Sequence, residues 1–309
     1  MRGTAQLNST TSSPDATSST APNPLTMPPR IPSLPPSLPN LPHLPIILPK
    51  RHNSTQTSPA HPPSSESPSR WLATTKSRIG KCIMFGLTRP QARRAGGILE
   101  VLGRDWRELV AGRQGFLVDR RRAGLYRHRV VWGEMDSMGH VNNVAYIRYA
   151  ESARVQWVKN YAVHIDPGNA GSWMETLTPR GDGLILRSIK TFYRFPMTWP
   201  DHISVYHKLR ALPEPGSDNF TLDVLIVSEL RQRVAASCVE DIVLYDYKAG
   251  QKTAMKPFMM NAFETAWEEQ LESTKSAERK IEWVEERVRE LERESWDREG
   301  AVEDMGGGR

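Results

Sequence analysis

Alternating hydrophobic and polar positions dominate the second half of the chain. Four segments rich in β-branched and aromatic residues are separated there by clusters of Pro, Gly and Asp. Such alternation is typical of β-strands, because successive side chains of a strand point to opposite faces of the sheet. The pattern predicts strands at Leu184–Phe195, His202–Leu209, Phe220–Ser228 and Arg233–Tyr247.

A fifth β-like run, Arg129–Trp132, lies upstream and leads through a short loop into a helix-period segment near Val144 to Tyr161. We expect the apolar face of this helix to consist of Val144, Ile147, Ala150, Val155 and Val158. A Gly/Pro-rich loop, 166–183, follows the helix. One long helix and about five antiparallel strands predict an α+β domain in which the sheet wraps around the helix.

Further helices are expected on both sides of this domain. Helical spacing occurs at Trp71–Phe85 and Gln91–Val110, although three glycines weaken the second segment. Residues 261–299 are rich in Glu and Arg and carry an apolar seam. Its members are Ile281, Val284, Val288 and Leu291, with Phe263, Trp267 and Leu271 extending the apolar face. Fewer than three heptads make a poor coiled coil, so we expect a helix docked on the domain or its symmetry mate, or else a partner site.

Composition divides the 309-residue chain into a leader and a folded part. Residues 1–70 hold 16 of the 24 prolines, many Ser and Thr, and only Asp15 and Glu66 as acids. We expect this segment to be disordered. A basic, acid-poor leader also fits a mitochondrial transit peptide, with a cytoplasmic tail as the alternative. The predicted organisation is leader 1–70, basic helical extension 71–125, α+β domain 126–260 and charged C-terminal helix and tail 261–309.

Charge is distributed unevenly along the folded part. Residues 71–130 carry 14 Lys and Arg against four Asp and Glu, whereas residues 261–309 carry eight against 15. The acidic C-terminal segment is one expected partner of the basic block, and an anionic ligand is another. Nucleic acid is not expected, because the basic block lacks interleaved aromatic residues. Peripheral membrane contact around 76–81 stays open, but no apolar run approaches the roughly 20 residues that span a bilayer.

The loop between the first strand and the long helix collects polar residues. It contains Asp136, His140, Asn142 and Asn143, with Gly139 among them. Loops often carry functional groups that rigid elements position, and a helix start offers free N–H groups and partial positive charge. The two cysteines, Cys82 and Cys238, form no metal pattern, and we expect no metal or other cofactor.

This stretch resembles the hot-dog-fold acyl-CoA thioesterases of the 4-hydroxybenzoyl-CoA thioesterase type. The matching positions are Asp136, Gly139-His140-Val141-Asn142-Asn143, Tyr146, Tyr149, Glu151 and Ala153-Arg154. The segment 192–201 is similar to the family's corner between its second and third strands, with Trp199-Pro200 in place of the usual glycine. Arg51-His52-Asn53-Ser54-Thr55 also resembles the end of a fungal mitochondrial presequence. The family resemblance covers about 130 residues.

Two roles are open for Asp136. The resemblance places it at the catalytic position, as a nucleophile or as a general base on water. The alternative is that its carboxylate only caps the turn or the helix.

The other candidates are substrate-binding residues by resemblance: His140, Asn142, Asn143 and Glu151. His140 could equally hydrogen-bond within its loop, and the two asparagines suit N-cap positions. Glu151 is the second candidate for the working carboxylate, and we expect Arg154 to pair with it. Glu134, two residues before Asp136, is expected to point away from the site if the strand geometry persists.

The resemblance therefore implies hydrolysis of acyl-CoA thioesters, without a metal or redox cofactor, by a homodimer or dimer-based tetramer with the site between subunits. A non-catalytic hot-dog scaffold in a mitochondrial complex is the alternative from another class. A hot-dog hydratase is a third option.

Overall fold

The computed structural model describes residues 68–304. The helices and strands of that range occur in this order: α1 (Pro68–Met84), α2 (Arg89–Arg104), α3 (Trp106–Val110), β1 (Leu125–Arg129), α4 (Asn143–Asn160), α5 (Ala170–Glu175), β2 (Asp182–Tyr193), β3 (His202–Leu209), β4 (Asn219–Ser228), β5 (Arg233–Asp246), β6 (Gln251–Lys252) and α6 (Pro257–Glu294). Residues 1–67 of the predicted leader (1–70) lie outside the described residues. The predictions of disorder and of a transit peptide fall on this part of the chain.

The strands form one antiparallel sheet in the order β1-β3-β4-β5-β2, with the short β6 paired to β5. Helix α4 packs on one face of this sheet. The predicted α+β hot-dog fold is confirmed. Strand β3 has the predicted bounds, and β2, β4 and β5 begin and end within two residues of their predictions.

The first strand ends earlier than predicted. Arg129 pairs with His202, the first residue of β3, so the ladder has no partner strand beyond this point. Val130 still donates its N–H to the carbonyl of Asp201, at 3.0 Å. The chain then turns through a short 3-10 helix, Trp132–Glu134. Of the strand predicted at Arg129–Trp132, only Arg129 lies in β1, so the prediction was wrong for the other three residues.

The predicted apolar face of α4 was also partly wrong. Ala150 and Val158 are fully buried, but Val144, Ile147 and Val155 are exposed. The helix is instead rotated so that three aromatic side chains face the sheet: Tyr146, Tyr149 and Trp157. Aromatic side chains bury about 150–250 Å² each, so this orientation removes more apolar surface from water.

The loop predicted at 166–183 contains structure of its own. It includes α5, whose Trp173 is fully buried and packs against Tyr161 with ring centroids 4.6 Å apart. This contact holds the segment against the C-terminal end of α4.

A second layer of helices lies on the opposite face of the sheet. Helices α1, α2 and α3 pack with the second half of α6 against Tyr206, Leu225 and Val227 of the sheet. In the seam of α6, Val284, Val288 and Leu291 are fully buried and Ile281 is partly buried, so the docked helix is confirmed. Leu271 is 49% exposed, and its predicted place on the apolar face was wrong.

The first half of α6 packs on the side of the domain that carries α4. Phe263 packs among Trp157, Tyr161 and Phe220 near the end of α4. Farther along, the side-chain amide of Gln270 bonds both backbone groups of Leu209, accepting at 2.9 Å and donating at 3.0 Å. These contacts show that α6, about 57 Å long at 1.5 Å per residue, joins the two helical layers past the end of β3.

The acidic C-terminal helix is the partner of the basic extension, as one alternative predicted. Arg78 contacts Glu285 at 2.5 Å and Glu292 at 2.8 Å, and Arg94 pairs with Glu294. Among residues 68–304, no helix combines the length and the apolarity needed to cross a bilayer.

Candidate functional site

The polar loop before α4 is a tight hairpin. Met135 and Val141 form an antiparallel bridge, and the N–H of Asp136 donates to the carbonyl of His140 at 2.7 Å. Gly139 has φ +75°, a left-handed conformation that glycine adopts without the steric penalty of a side chain. The N–H of Val141 donates to the carbonyl of Met197 at 2.8 Å, which fixes the loop to the corner between β2 and β3.

Asp136 is half-buried and uses one carboxylate oxygen to hold this hairpin. Its Oδ1 accepts the N–H of Met138 at 2.8 Å and the N–H of His140 at 3.2 Å. Within the described range, Oδ2 accepts no hydrogen bond from protein. The turn-capping alternative is thus realised by one oxygen, while the other is free to accept a proton from water.

His140 is half-buried, and its backbone N–H donates the hydrogen bond to Asp136 Oδ1 within the loop. The imidazole bonds no other group among residues 68–304. Asn142 is the N-cap of α4, since its Oδ1 accepts the N–H of Val144 at 3.0 Å. Asn143 is the first helical residue, so its predicted N-cap role was wrong; its carbonyl accepts the hydroxyl of Tyr193 at 3.3 Å.

Two tyrosines that sequence reasoning did not assign to the site lie behind the loop. The Tyr146 hydroxyl accepts the N–H of Met197 at 3.2 Å, and its ring meets that of Tyr193 edge to face at 5.2 Å. Burial raises the pKa of Tyr146, and the negative charge of Asp136 acts in the same direction. Tyr146 was visible as part of the motif, but its place beside Asp136 depends on the rotation of α4.

Glu134 contacts α4, because the strand geometry on which its predicted orientation depended does not persist. Its Oε2 accepts the hydroxyl of Tyr149 at 2.6 Å and the N–H of Val131 at 2.9 Å. The reason is the 3-10 turn, which replaces the strand on which the prediction depended. Burial raises the pKa of Tyr149, and the hydrogen bond to the Glu134 carboxylate raises it further.

The predicted pair between Glu151 and Arg154 does not form. Glu151 is exposed, whereas Arg154 donates to the buried carboxylate of Glu240 at 2.6 Å. His207 lies 3.4 Å from the other oxygen of Glu240, and both side chains are fully buried. Glu151 and Arg154 are three residues apart on α4, but this spacing did not make them a pair, because Arg154 binds the buried Glu240 instead.

Glu151 and Arg154 line a cavity of about 410 Å³ beside the second half of α4. Small-molecule sites occupy roughly 300–1,000 Å³. Most of the remaining lining is apolar: Val155, Trp157, Val158, Leu177, Leu184, Phe220, Leu222 and Ile242. Glu151 comes eight residues after Asn143, about 12 Å along the helix, so the structure separates it from the Asp136 loop.

The loop and the helix start together combine a proton acceptor with a region that stabilises negative charge. A carboxylate held through one oxygen can accept a proton through the other. The first turn of α4 carries partial positive charge that favours a developing oxyanion. Among the described residues, no group of three or more His, Cys, Asp or Glu side chains is placed to hold a metal ion.

Residues 130–263 match the family model described as the thioesterase-like superfamily. This range runs from the end of β1 to the first turns of α6. No curated protein matches the chain.

Several solved structures match less than half of the chain. A thioesterase from Thermus thermophilus, complexed with coenzyme A and Zn, shares 18% identity over 46% of this chain and 92% of its own, with a TM-score of 0.36. A putative thioesterase from Pseudomonas aeruginosa shares 21% identity over 44% of this chain and 93% of its own, with a TM-score of 0.35. A hypothetical protein from Staphylococcus aureus in complex with CoA shares 11% identity over 48% of this chain and 85% of its own, with a TM-score of 0.40.

Proposed function

We propose that this protein hydrolyses acyl-CoA thioesters to the free acid and coenzyme A. One observation carries the proposal: Asp136 is oriented through Oδ1 and keeps Oδ2 open at the entry to α4. This loop lies inside the range that matches the thioesterase-like family model.

Asp136 would act as a general base or as a nucleophile. As a base, its Oδ2 takes a proton from water while the water oxygen attacks the carbonyl carbon. The tetrahedral oxyanion then expels the thiolate, which takes up a proton. As a nucleophile, the carboxylate attacks the carbonyl carbon and displaces the thiolate, which takes up a proton, and water then cleaves the resulting mixed anhydride. In both routes the helix start favours the oxyanion.

The remaining polar groups of the loop are proposed to bind the substrate. The half-buried imidazole of His140 and the exposed amide of Asn143 flank the helix start. Asn142 uses its oxygen to cap α4 and keeps its NH₂ group for a carbonyl acceptor. We place the acyl group in the cavity beside α4, where Glu151 is the second candidate for the working carboxylate.

We also propose a homodimer, or a tetramer built from dimers, with the site between subunits. Within residues 68–304, β2 is an edge strand of 12 residues that pairs only with β5. Phe192 on this strand is exposed, as are Val144 and Ile147 on α4. An antiparallel partner strand and a covering surface would bury these groups.

Mitochondrial location is proposed from the composition of residues 1–70, with cytoplasm as the alternative. Fractionation of cells that express the chain tests this. A shortened chain in the mitochondrial matrix supports a cleaved leader, and a full-length chain confined to cytosol contradicts it.

The activity is tested by coenzyme A release from short-chain, long-chain and aromatic acyl-CoAs. We expect turnover of at least one class, and its loss in Asp136→Ala. Wild-type turnover in Asp136→Ala would exclude the proposed mechanism.

A non-catalytic scaffold is the second candidate, because α1, α2, α3 and the second half of α6 cover part of one sheet face and lie outside the family match. A stable hetero-complex without coenzyme A release would favour it.

A further inference from the structure

A second cavity of about 410 Å³ lies between α1 and the turn from β4 to β5. Four cations line it: Arg70, Lys76, Arg231 and Arg233. The other lining residues are Leu72, Ala73 and Gln232. The lining therefore contains no carboxylate to balance four positive charges.

Two other arginines of the helical extension, by contrast, have acidic partners. Arg78 pairs with Glu285 and Glu292, and Arg94 with Glu294. Among residues 68–304, none of the four cavity cations lies within ion-pair distance of a carboxylate. A concave surface of one charge sign raises the local concentration of ions of the opposite sign.

Lys76 and Arg233 are held in place by neutral groups. Lys76 is partly buried, and its ammonium donates to the side-chain oxygen of Gln232. Burial lowers the pKa of Lys76, and no negative charge offsets that desolvation. The Arg233 guanidinium stacks over Phe195, 4.3 Å from the ring centroid, which leaves its edge N–H groups available.

We infer that this cavity binds a phosphate group, and that in the proposed reaction this is a phosphate of the coenzyme A moiety. Phosphate is multiply charged and accepts several hydrogen bonds, which suits guanidinium and ammonium donors around one concave surface.

A series of contacts connects the cavity to the candidate site. Phe195, beneath Arg233, packs against the core that contains Tyr146 and Met197, and the carbonyl of Met197 anchors the Asp136 loop through Val141. Phe195 therefore links Arg233 of the cavity to the core that supports the loop. Because coenzyme A joins its phosphates to its thiol by an extended arm, the two ends of one substrate could occupy both places.

This inference rests on the proposed function for its choice of phosphate source. A phospholipid headgroup presents the same chemistry, so the experiment must separate the two sources.

Binding is measured by calorimetry on the full chain with coenzyme A and with dephospho-coenzyme A, and by sedimentation with phosphatidylcholine vesicles with or without phosphatidic acid. The test variant is Arg70→Gln/Arg231→Gln, since both side chains are exposed. The control is Arg93→Gln, which removes an exposed arginine of the same extension outside the cavity. Thermal melting checks that all proteins fold.

We expect the double variant to bind coenzyme A about tenfold more weakly, and the control to bind as the wild type does. Weaker binding of phosphatidic acid vesicles alone would retain the phosphate site and assign it to lipid. Unchanged binding of both ligands would overturn the inference.

Kinetics separate this inference from the activity itself. For acyl-CoA relative to acyl-pantetheine, which carries no phosphate, we expect the ratio of kcat/KM to fall about tenfold in the double variant. An unchanged ratio in an active enzyme contradicts the phosphate site alone. Absence of turnover in the wild type, with coenzyme A binding still sensitive to the double variant, contradicts only the proposed activity.

Discussion

At the scale of single residues, the buried Glu240 is the least expected feature of the core. Its carboxylate lies between the sheet and α4, where Arg154 and His207 surround it. Burial disfavours the charged form, but His207 and the Arg154 guanidinium outweigh this and hold the pKa of Glu240 below its usual value of 4.5. Such a pair is costly to break, because the remaining partner becomes an uncompensated buried charge.

Replacing Glu240 with Gln should therefore lower the free energy of unfolding by about 3–5 kcal/mol near neutral pH. Because the folded pKa is depressed, the carboxylate stabilises the protein above pH 4.5, and this contribution is lost as the pH falls through the folded value. Urea unfolding at several pH values measures both effects. The exposed Glu286→Gln serves as the control. Equal stability of Glu240→Gln and wild type across this range would contradict the account.

The residue scale also shows where sequence reasoning stopped. The polar loop was identified from residue types and from a dense motif, and the N-cap role of Asn142 was confirmed. The pairing of Arg154 with Glu240 was not predictable, because it joins positions 86 residues apart. Long-range contacts of this kind depend on strand register and helix rotation, which local spacing does not encode.

At the scale of elements, α6 joins two cores. Its first half packs near the end of α4, and its second half closes the layer formed by α1, α2 and α3. Helical spacing identified the buried seam correctly, but it extended the apolar face to Leu271, where the helix passes between the two cores.

Leu291→Ala should lower the free energy of unfolding by about 2–5 kcal/mol, because the fully buried side chain leaves a cavity. Leu271→Ala is the matched control, and its expected effect is within about 0.5 kcal/mol, since its side chain is 49% exposed. Urea denaturation compares them. Similar losses for both variants would show that α6 is not docked as described.

Strands were more predictable than the face of α4. Period-two alternation defines both faces of a strand over a few residues, and β3 was predicted with its observed bounds. In α4, apolar residues occur on more than one side, so the aromatic residues rather than the aliphatic ones determined which side meets the sheet.

At the scale of the whole molecule, helices lie on both faces of the sheet, and the outer edge of β2 has no partner strand in the part of the chain that the structure describes. The helical extension occupies part of the face opposite α4, which leaves the β2 edge and the exposed side of α4 as the natural surfaces for self-association.

Sedimentation velocity should accordingly give a mass near twice the 34.9 kDa of the chain, or near four times that mass for a tetramer. A mass of one chain at micromolar concentration would contradict the proposed site between subunits.

The most direct test of the central claim compares Asp136→Asn with Asp119→Asn. Both aspartates accept an N–H two residues ahead, and asparagine keeps an oxygen for that bond while removing the negative charge. If Asp136 supplies the base or nucleophile, acyl-CoA hydrolysis should fall about 10²–10⁴-fold in Asp136→Asn and stay at the wild-type rate in Asp119→Asn. Wild-type hydrolysis by Asp136→Asn would show that Asp136 only holds its turn.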